Sequence, residues 1–164
     1  MSENIVIDTQ LWEFSYAIPK EEEFKGIHVE ANIFVKEMLE REEVVICMNS
    51  YQICEVLEVF RKVGIGLEVR HTLLENFIHD DFKTEIINKP LIKSAFEKSF
   101  VSGIHGYDYL VVSFVDTKID KIYSADQHFQ HDHFKQIAPV INPLSEYWVV
   151  EGKKPYKKVE RPTL

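Results

Sequence analysis

Four carboxylate residues stand at positions that chain folding by itself does not favour. Asp8 ends a short apolar run, Asp126 follows a later one, Glu55 lies inside a helical segment, and Asp108 opens an apolar helical segment. Taken singly, an acid at a strand end can simply cap a helix, and an acid in a first turn is favoured by the helix dipole. If the four converge, they repel one another unless a divalent cation lies among them, and carboxylate oxygens suit Mg²⁺ or Mn²⁺. Such an ion can activate water for phosphodiester hydrolysis.

The element pattern places these acids in an α/β protein. Short β-branched or apolar runs alternate with segments of helical periodicity, which predicts a parallel sheet of about five strands between two helical layers, a three-layer α/β/α domain. In such sheets functional groups gather beyond the carboxyl ends of the strands, where Asp8 and Asp126 would lie. The predicted strands are 5–7, 44–48, 85–87, 121–124 and 139–141. The predicted helices follow Thr9 and span 24–41, 50–63, 67–78, 90–100 and 107–115.

Glu55 falls on the polar side of its predicted helix. At 100° per residue, Val56 and Phe60 belong to the core face and Glu55 lies opposite, so a solvated position is the ordinary interpretation. Glu58 has Lys62 four residues later as a local partner, whereas Glu55 has Val59. The helical periodicity therefore leaves the role of Glu55 open.

Composition limits the class of protein. The 164 residues suit one compact domain, and 27 acidic against 19 basic residues give a net charge of −8, which excludes a generally basic nucleic-acid-coating protein. Cys47 and Cys54 form neither a disulfide framework nor a thiolate zinc motif. The chain shows no leader-like start and no apolar run of membrane-spanning length. A cytoplasmic location and no membrane partner are expected.

The charge pattern changes near the carboxyl end. Residues 1–148 form the predicted domain, and residues 149–164 are predicted as a basic tail, with Lys153, Lys154, Lys157, Lys158 and Arg161 against two glutamates. Tyr147, Trp148 and Tyr156 are interleaved with these lysines and could stack on single-stranded bases. Packing of Tyr147 and Trp148 on the domain, with the lysines solvated, is the favoured interpretation.

Four stretches resemble the PIN-domain nucleases, in particular the VapC-type ribonuclease toxins and their relatives. They are IVIDTQLW with Asp8 and Thr9, SYQICEVLEVF with Glu55, GYDYLVVSFV with Asp108, and IYSADQHF with Asp126. Their order and spacing match the family pattern, and the resemblance covers about residues 4–147. It implies a PIN-like fold.

The resemblance also implies a function. Asp8, Glu55, Asp108 and Asp126 would bind one or two Mg²⁺ or Mn²⁺ ions for RNA cleavage. The Thr9 and Ser124 hydroxyls would orient carboxylates or water. The protein would be an endoribonuclease and the toxin of a toxin–antitoxin pair, with a small antitoxin as partner. A homodimer, common in the family, could assemble an RNA groove from local cations. Candidates are Arg61, Lys62, Arg70 and the tail.

Other functions remain open from the sequence. His128, His131 and His133 could bind Zn²⁺ or Ni²⁺, although a solvated loop is favoured for them, as it is for His105. A receiver-like domain would share the strand, Asp and Thr pattern but leaves Glu55 and Asp126 without a role. A PIN fold could also serve as an RNA- or protein-binding module with little nuclease activity.

Overall fold

The computed structural model describes residues 1–158 and alternates strands with helices. The strands are β1 Glu3–Ile7, β2 Val44–Asn49, β3 Lys83–Glu85, β4 Lys121–Tyr123, β5 Val140–Ile141, β6 Tyr147–Trp148 and β7 Tyr156–Lys157. The helices are α1 Thr9–Tyr16, α2 Lys25–Glu40, α3 Ser50–Lys62, α4 Leu67–Phe77, α5 Lys89–Ser102, α6 Gly106–Val111 and α7 Asp132–Lys135. Two short 3₁₀ helices span Glu22–Phe24 and Gln127–Gln130.

Five strands form one sheet in the order β3-β2-β1-β4-β5, and every neighbouring pair is parallel. Helices flank this sheet, so the predicted three-layer α/β/α fold with a central parallel sheet is confirmed. Because all five strands run in one direction, their carboxyl ends share one edge. Residues that follow β1 and β4, which are direct neighbours, therefore come close together.

Alternation along the strands divides the interior into two apolar cores. Ile5 and Ile7 of β1 belong to the core formed with α1 to α4, whereas Val6 between them belongs to the core formed with α5, α6 and residues 129–138. Cys47 of β2 likewise faces the second core while its neighbours face the first. Burial of the central strands on both faces explains why they are continuous apolar runs.

Helix α6 ends at Val111, four residues earlier than the predicted end at Val115. The Asn49 amide, fully buried at the end of β2, donates to the carbonyl oxygen of Leu110 at 2.6 Å and to that of Ser113 at 3.1 Å. These bonds hold carbonyl groups at and just beyond the end of α6, where the Leu110 carbonyl also accepts from the backbone N–H of Ser113 at 3.0 Å. A residue 61 positions away thus sets the helix end, and Val115 is 60% exposed.

The edge strand β3 spans Lys83–Glu85, whereas the apolar pair Ile86 and Ile87 led to a prediction of 85–87. Ile86 is 83% exposed, and the backbone N–H of Ile87 donates to the Ser50 hydroxyl at 2.9 Å instead of to a strand. The chain leaves the sheet here for α5, so hydrophobicity misplaces this strand by two residues.

The chain after Trp148 does not separate from the domain at the predicted boundary. Val149 and Val150 are buried, and the backbone N–H of Val149 donates to the carbonyl of Ala125 at 2.8 Å. Strands β6 and β7 then pair as an antiparallel hairpin. Glu160 and Arg161 of the predicted tail lie outside the described residues. The first part of the predicted tail is therefore part of the folded body.

The structure describes both cysteines and every helix within residues 1–158. Cys47 is buried, Cys54 is exposed, and both are free thiols. No helix within residues 1–158 has both the length and the apolar character that crossing a bilayer requires.

Gly106 at the start of α6 is in close contact with α5. A Cβ atom at this position would lie 2.5 Å from Cε1 of Phe96, so Gly106→Ala must displace the ring or the helix. We expect this variant to lower the free energy of unfolding by about 1–3 kcal/mol, measured by urea denaturation. Gly66→Ala is the matched control, because a Cβ there meets no atom within 4 Å and φ is −58°. Equal stability of the two variants would contradict this packing argument.

Candidate functional site

The four predicted carboxylates line one pocket at the carboxyl edge of the sheet. Asp8 follows β1 and Asp126 lies just beyond β4, while Glu55 projects from α3 and Asp108 from the first turn of α6. The enclosed space is about 30 Å³, which is room for a water-sized particle. The full lining comprises Asp8, Thr9, Gln10, Glu13, Glu55, Val59, Asp108, Asp126 and Glu151. The sheet thus brings together residues, such as Asp8 and Asp126, that are far apart in the sequence.

Ser124 links the two acids that follow the strands. Its hydroxyl donates to Oδ2 of Asp8 at 2.8 Å and accepts from the backbone N–H of Asp126 at 3.0 Å. Ser124 is fully buried, and Asp8 and Asp126 are 6% and 2% exposed. These contacts fix the position of the Asp8 carboxylate relative to the backbone of Asp126.

Glu55 is held from two sides by hydroxyl groups. Thr9 donates to Oε1, and the Tyr51 phenol, one helical turn before Glu55 on α3, donates to Oε2. The Tyr51 ring stacks on Tyr107 with ring centroids 5.6 Å apart and planes 7° apart. Glu55 is therefore oriented toward the pocket, and the solvated position that its helical periodicity allowed is not the one it occupies.

Asn49 connects the helices that carry Glu55 and Asp108. Its Oδ1 accepts from the backbone N–H of Gln52 and so caps α3, while its amide nitrogen binds carbonyl groups at the end of α6. One buried side chain thus fixes the start of one acid-bearing helix and the end of the other. This contact limits the relative movement of α3 and α6.

Burial and mutual repulsion raise the pKa values of the pocket acids. Desolvation raises the pKa of Asp8 to about 8, although the Ser124 hydrogen bond opposes this, and Asp126 and Glu55 add repulsion. Desolvation and the charge of Asp8 raise the pKa of Asp108 to about 8. Desolvation also raises the pKa values of Glu55 and Asp126. Carboxylates in this setting gain strongly from a nearby cation.

Two further acids of the pocket, Glu13 and Glu151, were not among the predicted site residues. Glu13 lies on α1, and desolvation together with the charge of Glu151 raises its pKa to about 7. Glu151 follows the buried pair Val149 and Val150 at the turn of the β6–β7 hairpin. Val149 and Val150 are the sequence signal for this position, because two adjacent β-branched residues indicate a packed segment and not a solvated tail.

The three clustered histidines do not share one site. His128 lies beside the pocket, with Nδ1 3.4 Å from Oδ1 of Asp126. His131 and His133 have ring centroids 4.3 Å apart, and Nδ1 of His133 is 2.8 Å from the Tyr109 hydroxyl. His105 is exposed and directly precedes α6. The sequence spacing therefore does not correspond to a three-histidine metal site.

A groove of about 280 Å³ continues from the acidic pocket and carries two lysines. It shares Glu13, Val59 and Glu151 with the pocket and is also lined by Lys62 of α3 and Lys153 of the hairpin. Of the other predicted cations, Arg61 pairs with Glu58 at 2.6 Å, and Arg70 lies half-buried on α4. Positive charge is therefore present along one side of an acidic centre.

The aromatic residues near the carboxyl end pack on the body. Tyr147 is buried, the Trp148 ring lies under Nζ of Lys158 at 5.1 Å, and the Tyr156 hydroxyl donates to Oε1 of Gln127 at 2.6 Å. The burial of Tyr147 agrees with the predicted packing of this ring on the domain. Trp148 is half-buried against Lys158, whose ammonium also donates to the carbonyl oxygen of Leu144 at 2.8 Å, so this lysine is not solvated as predicted.

No protein-family model matches the chain, and no curated protein sequence matches it significantly.

Proposed function

We propose that the protein is a divalent-metal-dependent endoribonuclease with a PIN-like fold. The observation that carries the proposal is the meeting of Asp8, Glu55, Asp108 and Asp126 in one pocket at the carboxyl edge of a parallel sheet. Folding stability does not favour such a cluster, because each acid is desolvated and repelled by its neighbours. A requirement for cation binding explains why all four are present.

The residues present fit Mg²⁺ or Mn²⁺. Every charged side chain lining the pocket is a carboxylate, and hard oxygen donors are what these ions take. Asp8, Glu55, Asp108 and Asp126 are the proposed ligands. When bound, the ion supplies Lewis acidity that polarises the scissile phosphodiester and offsets the negative charge developing on its oxygens.

The protein's own groups hold this constellation in place. The hydroxyls of Ser124 and Thr9 orient Asp8 and Glu55, and the Tyr51 phenol restrains the second oxygen of Glu55. Such supporting contacts typically change metal affinity or activity by about 10–100-fold when they are removed. Thr9 and Ser124 are therefore proposed as positioning residues.

RNA is the proposed substrate partly because a groove that carries two lysines adjoins the acids. Lys62 and Lys153 line it, so a phosphate backbone entering the pocket would pass two ammonium groups.

We expect Lys62→Ala combined with Lys153→Ala to weaken RNA binding and to lower the slope of log affinity against log salt by about 2 units. Fluorescence anisotropy across a salt series measures both quantities. Lys36→Ala, an exposed lysine of α2, is the control, and an unchanged slope in the double variant would remove the groove from the RNA path.

The proposed activity is tested with purified protein and a pool of single-stranded and structured RNA. Cleavage is expected with Mn²⁺ or Mg²⁺ and is expected to stop with EDTA. A protein that binds RNA without cutting it under any of these conditions would instead be a binding module. Absence of both RNA binding and metal binding would contradict the proposal as a whole.

The biological setting is proposed from the resemblance to the VapC-type toxins. In that setting the protein acts as a toxin, a small antitoxin covers the acidic pocket, and the nuclease is a homodimer. Induced expression should then arrest growth, and an inactive Asp8→Asn protein should not. Light scattering of the purified protein measures the oligomeric state directly.

A further inference from the structure

His128 lies beside the acidic pocket and close to two of its acids, although the sequence pattern grouped it with His131 and His133. Asp108, Asp126 and His128 each present one ligand-type atom, and these three atoms lie within 4.8 Å of one another. Within residues 1–158, no other set of three acidic, histidine or cysteine side chains has ligand atoms this close together, and Asp8 and Glu55 lie outside the group. It includes two of the four carboxylates proposed as ligands.

The local backbone explains why the imidazole points toward the acids. Oδ1 of Asp126 accepts from the backbone N–H of His128 at 2.8 Å and so caps the 3₁₀ helix Gln127–Gln130. This tight turn returns the His128 side chain to its own cap residue, with Nδ1 3.4 Å from Oδ1 of Asp126. The side chain is 41% exposed, so solvent and ions reach it.

The separations suit shared coordination of one ion. Oxygen ligands about 2.1 Å from an octahedral ion are about 3 Å apart when adjacent and about 4.2 Å apart when opposite. A nitrogen–oxygen distance of 3.4 Å is close to the adjacent value, and a spread of at most 4.8 Å requires only small side-chain adjustments. Direct coordination is therefore accessible without a change in the backbone.

We propose that His128 is a nitrogen ligand of the divalent cation and that it gives the pocket a preference for Mn²⁺ over Mg²⁺. This inference rests on the proposed function, because it adds a ligand to the same metal site. Imidazole nitrogen suits transition metals, whereas Mg²⁺ keeps to oxygen ligands. The four carboxylates can bind either ion, and the imidazole nitrogen adds a ligand that favours Mn²⁺.

Pulsed electron paramagnetic resonance of Mn²⁺ bound to the full chain tests the proposal directly. A ¹⁴N coupling from a coordinated imidazole is expected in the wild type and should disappear in His128→Gln. His105→Gln and His131→Gln are the matched controls, since each removes a nearby exposed imidazole. Both controls should keep the coupling.

Calorimetry supplies the second readout. His128→Gln should weaken Mn²⁺ binding by about tenfold or more while changing Mg²⁺ binding by less than about threefold. Circular dichroism verifies that the variant is folded, and the wild-type spectrum remains decisive if it is not.

The outcomes separate this inference from the proposed function. Tight Mn²⁺ binding without a ¹⁴N coupling, or with a coupling lost in His105→Gln instead, would overturn the role of His128 and leave the carboxylate site standing. No Mn²⁺ binding by the wild type would overturn both.

Discussion

Asp8→Asn and Asp126→Asn are each expected to lower RNA cleavage by at least about 100-fold while leaving the protein folded. Both carboxylates are buried in the pocket and are proposed ligands of the ion. Loss of about 3 kcal/mol of transition-state stabilisation corresponds to this factor, and a bound metal ion supplies several kcal/mol. The initial rate of cleavage of a labelled RNA, at saturating Mn²⁺, is the measurement.

Both substitutions preserve the contacts that folding uses. In Asp126→Asn the new amide oxygen can still accept the hydrogen bond that the backbone N–H of His128 donates to the carboxylate. Asp120→Asn is the matched control, because Asp120 precedes β4 at the opposite end of the strand and accepts from the backbone N–H of Asn4 at 2.8 Å. Full activity in either pocket variant would refute the assigned roles. Equal loss in Asp120→Asn would indicate a general effect of charge removal.

The metal-free protein is expected to lose at least about 3 kcal/mol of unfolding free energy between about pH 5 and pH 8. The pKa of Asp8 is about 8 in the folded protein and near 3.8 in the unfolded chain, so the folded state binds more protons throughout this interval. Stability therefore falls as pH rises, by up to about 1.4 kcal/mol per pH unit for one such group. The raised pKa values of Asp108 and Glu13 act in the same direction.

Urea denaturation in EDTA at about pH 5, 6.5 and 8 measures this dependence. Added Mn²⁺ or Mg²⁺ should recover the lost stability at the highest pH, because the cation binds the ionised, folded form. Asp8→Asn should be more stable than the wild type in EDTA at that pH and should show a flatter profile. A wild-type stability that is constant or rises over this pH interval would contradict the electrostatic description of the pocket.

The fold was predictable where local pattern and burial coincide. The buried strands β1, β2 and β4 are apolar runs, and α2 and α4 have helical periodicity that continues to within about one residue of their ends. Prediction failed where a distant residue decides the outcome. Asn49 ends α6 from 61 positions away, and no local signal near Val111 reports it.

The site was predictable only in part, for a related reason. Asp8 and Asp126 follow recognisable strands, so sheet geometry brings them together. The position of Glu151 in the pocket depends on the β6–β7 hairpin lying next to α1. The basic composition of this segment led to the prediction of a tail instead. The contact between Tyr51 and Glu55 could have been predicted from the sequence, because Tyr51 lies four residues before Glu55 and therefore on the same side of α3.

The sheet order also determines when the four carboxylates come together during folding. Asp8 and Glu55 belong to the part of the chain before the exposed residues His79–Asp81, and Asp108 and Asp126 belong to the part after them. These two parts meet along β1 and β4, as in the pairing of Ile7 with Tyr123, and along β2 and β3, as in the pairing of Cys47 with Lys83. Neither part carries the full electrostatic repulsion before this docking. A cation that relieves the repulsion should therefore slow the separation of these paired strands.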